Sequence, residues 1–228
     1  MTLIAPRLEN TLLLAALTAI VAAPVAIAAG VLSVIKHGSA YDRALSMATL
    51  IILSVLGVVI GYALMFLLVV KLQLLPFYTA FTDSLSFSDQ LRAMALPVLT
   101  LSVVVFAPIM RMTRVSILNV MSAPYIEMAH LKGLTLWRVI TLHALPNVVA
   151  PIVTSTMIVM ANLIVGVVVV EKVFSYPGMG KLMITAVAFR DLPLMQTCSL
   201  IFGSLYILLN LSADVISLIS NPRLRNLR

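Results

Sequence analysis

From Asn10 to Ile35 the chain passes no charged residue, and the same holds for Ala44 to Val70, Ala93 to Met110, Ala144 to Val170 and Gln196 to Ala213. A helix crosses the hydrocarbon core of a bilayer with roughly 20 apolar residues. Backbone groups left unsatisfied in lipid are so costly that each run must be helical, because an open sheet edge has no remedy there. The expected fold class is therefore all-α, a polytopic transmembrane helix bundle in a single domain over residues 1–228. Five spans are predicted near 10–35, 44–70, 93–110, 144–170 and 196–220, the last extending past Asp214. Composition agrees: 62% of residues are hydrophobic and 10% charged, against about 25% charged in soluble domains. Mean hydropathy is +1.14. Pro24, Pro108 and Pro151 fall inside the runs. Each removes a helix hydrogen bond and is expected to kink or locally unwind its span.

Five crossings put the termini on opposite sides of the membrane. With the C-terminus cytoplasmic and the N-terminus outside, the inner segments carry Lys36, Arg43, Arg111, Arg114, Lys132, Arg138, Arg223, Arg225 and Arg228. The outer segments carry Arg7, Lys71, Arg92, Lys172, Lys181 and Arg190. The positive-inside rule favours that orientation and makes 111–143 a cytoplasmic loop. The first run is too long for a signal-peptide core and no clear small-residue cleavage site follows it, so a retained span is expected. The net charge of +7 belongs to residues scattered at span edges. It reflects topology and contact with membrane lipid, not nucleic-acid binding.

Within that loop, "SAPYIEMAHLKG" reads as a short helix. Ser122 is a candidate cap, and Pro124 suits the first turn, where a missing N–H loses nothing. Glu127 and Lys132 complement the helix dipole at its two ends. Gly133 can take the left-handed conformation that stops the helix. Thr135 is a candidate cap for a second helix leading to Leu145 and Pro146. Tyr125, Met128, Ala129 and Lys132 share one face by the i, i+3, i+4 rule. The residues alone fit equally an interfacial helix lying on headgroups and a helix docking on a partner.

Glu127-Met128-Ala129, Gly133 and Leu145-Pro146 resemble, in register, the Glu-Ala-Ala loop of binding-protein-dependent ABC importer permeases. Met128 and His143 depart from that pattern. "RMTRVSILNVMSAPYIEMAHLKGL", "RVITLHALPNVVAPIVT", "VVVVEKVFSYPGMGKLMITAVAFRDLPLMQ" and "NPRLR" look like the dipeptide, oligopeptide and nickel branch, as does the early "GVLSVIKHGSAYDRALS". The resemblance covers about Asn10 to Arg225. It implies an inner-membrane permease subunit that pairs with a second permease, receives solute from an extracytoplasmic binding protein and couples to two cytoplasmic ATPase subunits. ATP and Mg would be bound by those partners, with no cofactor in this chain. Tyr125, Glu127, Ala129, Lys132 and Gly133 would then lie on the ATPase-docking coupling helix, and Leu145-Pro146 at its return to the membrane. Permeases of this branch usually carry six spans, so the resemblance also implies that the usual N-terminal first helix is lacking here.

Glu171 directly follows the fourth run. An ionisable group within a span is a functional candidate, whereas at a span edge it more often marks the interface, the reading favoured here. Pro177, Gly178 and Gly180 have turn chemistry and, by resemblance, open a short outer helix; with Glu171 they form a candidate outer gate. His37, His130 and His143 lack metal-ligand spacing, so no metal site is expected. Cys198 reads as a packing residue, and Asp214 as an interfacial acid. No catalytic constellation or Walker loop occurs, so the chain is not expected to be an enzyme. The competing reading, a secondary transporter or channel without ATPase partners, would need its own coupling-ion site near mid-membrane. The middles of the five runs hold no acid.

Overall fold

The computed structural model of this chain describes residues 4–74, 87–131 and 133–220. All regular structure in them is helical: α1 Ile4–Ile35, α2 Ala40–Ser54, α3 Gly57–Met65, α4 Phe87–Met121, α5 Pro124–Leu131, α6 Leu136–Val139, α7 Leu145–Val173, α8 Met179–Phe189 and α9 Leu192–Ser220. Four helices are long and apolar enough to cross a membrane, and α2 with α3 makes a fifth if that bent pair is one span.

α4 is the central helix. α1 packs along it, α2, α3 and α7 also rest on it, and α9 and α8 lean on α7. The buried positions of α1 are Thr11, Leu14, Thr18, Ala22, Ala26, Gly30, Ser33 and Val34. Most are three or four apart, which makes one narrow stripe. Three of them, Ala22, Ala26 and Gly30, are small, and small residues at such spacing let helix backbones approach in a membrane. At Gly30 the approach is tight: a Cβ there would lie 2.8 Å from Thr113 Cβ and 2.9 Å from the Met110 carbonyl oxygen. Leu14, Ala22 and Ala26 meet Leu101, Val105 and Ile109 of α4 and Leu163, Val167 and Val170 of α7 in one core. A second core, of Val34, Ile117, Ile126, Val139, Ile140, Ala144, Val148 and Ile152, closes the end where α5 and α6 lie.

The expected span 44–70 is broken. Val55 and Leu56 are extended, and α2 and the helix from Gly57 to Lys71 meet at 109°. No proline is involved. Ser54 donates its hydroxyl to the Leu50 carbonyl, and Gly57, a poor helix former, follows two residues beyond the break's start. The bend is held by packing: Cβ atoms at Gly57 and Gly61 would lie 3.4 Å from Val104 and Thr100 of α4. Conversely, Pro24, Pro108 and Pro151 all sit inside unbroken α-helix. The expected local unwinding does not occur there. The third span also extends past its apolar run. α4 has 35 residues, about 52 Å at 1.5 Å per residue, and carries Arg111 and Arg114 on its last turns rather than in a loop.

Candidate functional site

α5 lies at the end of α4. Pro124 opens it, as expected, but Ser122 does not cap it: the Ser122 hydroxyl donates to the Asn119 carbonyl and so closes α4 instead. Ile126 is fully buried in the second core, while Tyr125 and Met128 are 45% and 57% exposed. Among the described side chains of α5, Ile126 is thus the buried anchor and Tyr125 and Met128 are open. Gly133 stands at φ +77° with nothing within 4 Å of a Cβ position, so glycine is required there by conformation and not by space. Thr135 occupies the cap position of α6 without a side-chain bond. A π-helical stretch, Ile140–Ala144, joins α6 to α7. Pro146 cannot donate to a preceding carbonyl, and its ring crowds the one four residues back. The wider π turn just upstream accommodates it. Leu145 is half-buried and Pro146 exposed in the first turn of α7. Lys132 and the side chains of Glu127 and Ala129 lie outside the described residues.

At the other end of the bundle the four gate candidates do come together, and Glu171, in the last turn of its span, is buried within the protein. Its side chain has 0% exposure. Oε1 accepts from the Thr11 hydroxyl of α1 at 2.6 Å, and Oε2 from the Lys181 backbone N–H at 3.1 Å. Thr11 Oγ1 in turn accepts from the Met179 N–H at 2.8 Å. Met179 and Lys181 are in the first turn of α8, whose cap residue Gly178 has no side chain to offer. The first N–H groups of a helix have no intrahelical partner and favour negative charge. A carboxylate from one helix and a hydroxyl from another therefore cap a third.

The chain reaches this geometry through the turn after α7. Ser175 adopts φ +53°. The Tyr176 N–H then bonds the Glu171 carbonyl and the Ser175 N–H the Lys172 carbonyl, the paired pattern of a Schellman ending. That turn lays Pro177–Gly180 across the carboxylate. A Cβ at Gly178 would overlap the Glu171 carboxylate, and one at Gly180 would lie 2.6 Å from Val168 Cα. The two glycines are there for close approach. Asn10 donates to the Pro177 carbonyl at 3.1 Å, and the Tyr176 hydroxyl donates to the Asn10 carbonyl at 3.2 Å. Burial, and then the Glu171 charge, push the Tyr176 phenol above its usual range, so it stays a donor. Sequence reasoning missed Asn10, Thr11 and Tyr176, because nothing local links them to residues about 160 positions away.

A second polar knot, also missed, lies toward the α5 end. Arg114 of α4 grips Asp42 of α2 with both ends of its fork, Nε to Oδ1 at 2.9 Å and Nη2 to Oδ2 at 3.0 Å. Ser33 donates to the same Oδ1, the Gly38 N–H to Oδ2 at 3.2 Å, and His37 Nδ1 lies 3.3 Å from Oδ2. The available signal was "SAYDR", where Ser39 caps α2 and accepts from the Asp42 N–H. His37 thus sits beside an ion pair. The side chains of His130 and His143 lie outside the described residues. Among the described residues no three His, Cys, Asp or Glu are placed to hold a metal ion. Cys198 is buried, and Asp214 is exposed on α9.

Comparison with known proteins identifies the family. Residues 14–226 match the family described as binding-protein-dependent transport system inner membrane component. The probable peptide ABC transporter permease protein y4tP of Sinorhizobium fredii is 37% identical over 225 residues, covering 98% of this chain and 71% of that protein. The dipeptide transport system permease protein DppB of Escherichia coli is 33% identical over 249 residues, covering 97% of this chain and 72% of DppB. A chain from the structure of the MetNI methionine ABC transporter in inward facing conformations superposes with a TM-score of 0.75 over 97% of both chains at 16% identity, a likeness of fold. Membrane subunits of this family are not enzymes; ATP hydrolysis lies in their partner ATPases. With its apolar helices, its Glu-x-Ala loop and these relatives, the chain belongs to the binding-protein-dependent transport system inner membrane components, as a multi-pass ABC transporter permease of the dipeptide/oligopeptide type.

Proposed function

We propose that this chain lines the translocation pathway of an ATP-driven importer of peptides, together with a second permease, and that α5 is the helix through which cytoplasmic ATPases drive it. The solute would arrive from an extracytoplasmic binding protein, with α8 outside and α5 inside. The carrying observation is the build of α5: one buried anchor at Ile126, a glycine stop at Gly133, and Tyr125 and Met128 left open. A short helix with a buried anchor beside open side chains suits the transmission of a push. The in-register Glu127, Ala129, Gly133 and Leu145-Pro146 support the same reading, and the named cargoes of the two relatives support peptide over nickel. A proton-coupled secondary transporter would need an ionisable group within a span. Among the described residues the buried acids, Asp42 and Glu171, instead lie at opposite ends of α1, each holding hydrogen-bond donors on both carboxylate oxygens.

The test is to purify the permease with its candidate ATPases and compare variants. Gly133→Asp forces a side chain into φ +77°, which costs about 1 kcal/mol or more, and re-aims the end of α5. Glu127→Arg reverses the charge near the positive end of the helix dipole. Both are expected to reduce ATPase association or stimulated hydrolysis by about tenfold, the effect of roughly 1.4 kcal/mol, with the permease still folded by its melting curve. Peptide uptake that continues without any ATPase would defeat the proposal. Nickel uptake in place of peptide uptake would change only the cargo.

A further inference from the structure

Between α2 and α4, at the end of the bundle that carries α5, lies a cleft of about 170 Å³. Its polar rim is Ser46, Thr49, Arg111 and Arg114, and its apolar wall is Leu50, Met110 and Val115. Arg111 is the first charged residue after the third apolar run, which sets the rim at the depth where hydrocarbon gives way to headgroups. We propose that this cleft binds the phosphate of an acidic phospholipid, with the first carbons of an acyl chain against Leu50, Met110 and Val115.

Charge carries the first part. Arg114 is neutralised by Asp42 through Nε and Nη2, while its Nη1 has no partner among the described residues. Arg111 is exposed and has neither ion pair nor hydrogen bond among the described residues. Lys36 and Arg43 stand close in sequence to Asp42, the acid that the described residues place against Arg114, and Arg111 lines the cleft with Arg114. The rim is thus a cationic site with donors to spare, and guanidinium groups match phosphate oxygens geometrically. The Thr49 hydroxyl is already used within α2, donating to the Ser46 carbonyl at 2.9 Å, so the hydroxyl left for a ligand is that of Ser46. The mixed lining carries the second part. A free phosphate gains nothing from an aliphatic wall, whereas a lipid presents phosphate and hydrocarbon in that order. Basic pockets between helices on the cytoplasmic side are suited to acidic headgroups. Placing this one in the inner leaflet rests on the orientation proposed above.

The experiment places the assembled transporter in nanodiscs of phosphatidylcholine with phosphatidylglycerol, and counts retained lipids by native mass spectrometry. Wild type is expected to keep one phosphatidylglycerol that Arg111→Ala loses, with occupancy about fivefold lower, as one interfacial cation worth roughly 1 kcal/mol predicts. Arg138→Ala removes an exposed cation from the same end outside the cleft and is expected to behave as wild type. Arg111→Lys keeps the charge without the fork and is expected to fall between. Equal retention by wild type and Arg111→Ala overturns the proposal, as does a cleft from which the second permease subunit excludes lipid. Displacement by millimolar inorganic phosphate, with no preference for phosphatidylglycerol over phosphatidylcholine, assigns the cleft to free phosphate and overturns the lipid. Gly133→Asp is expected to leave lipid retention unchanged, so the two proposals fail separately.

Discussion

Gly178→Ala is expected to lower the stability of the permease by about 3 kcal/mol, more than most single methyl additions. Gly178 has φ −96°, which any residue adopts, so the cost is steric. The new Cβ overlaps the Glu171 carboxylate, and either the carboxylate or the turn must move. If the carboxylate leaves, the Lys181 N–H is orphaned and Glu171 loses its contact with Thr11. An orphaned buried donor costs about 1–3 kcal/mol. For a domain of this size a loss of about 3 kcal/mol is roughly 6–12 °C in melting temperature, readable by thermal scanning in detergent. Glu171→Ala alone is also expected to destabilise, though Thr11 can turn its proton to the Arg7 carbonyl, 3.1 Å away. The double variant removes both the clash and its victim. It should be less damaged than the two single effects added together. Strict additivity would show that the two residues do not meet.

Arg114→Leu is expected to cost about 3–5 kcal/mol, the range for stripping one partner from a buried ion pair. Asp42 is 4% exposed, and without Arg114 its charge keeps only the Ser33 hydroxyl, the Gly38 N–H and His37. Asp42→Asn in the Arg114→Leu background removes that stranded charge and should recover a good part of the loss, since pairs replaced together often come out near neutral. The measurement is the melting temperature of wild type, both single variants and the double. A double variant as unstable as the sum of the singles would mean that the pair contributes nothing of its own.

The spans were legible because lipid demands runs without charge, and such runs need no tertiary information. The stop at Gly133, the opening at Pro124 and the return at Leu145-Pro146 were legible for a similar reason, since caps and breakers act within a few residues. What was illegible depended on distant neighbours. Three prolines looked like the weak points of their spans, yet the chain breaks at Val55-Leu56, where α3 gains by pressing Gly57 and Gly61 against α4. The burial of Glu171 was illegible because its partners, Thr11 and the start of α8, are remote in sequence or offer only backbone. Ala22, Ala26 and Gly30 could have been noticed as a small-residue stripe, but their spacing alone does not name α4 as the helix they admit.

The two knots share one helix. Thr11 binds Glu171 near the start of α1 and Ser33 binds Asp42 near its end. Between them run 22 residue steps, about 33 Å at 1.5 Å per residue, close to the thickness of a bilayer's hydrocarbon core. Most helices meet a thicker or thinner membrane by changing tilt. α1 is fastened at both ends to helices that do not tilt with it alone. A bilayer of another thickness is therefore expected to be met by the bundle as a whole, and not by a change of tilt in α1 alone.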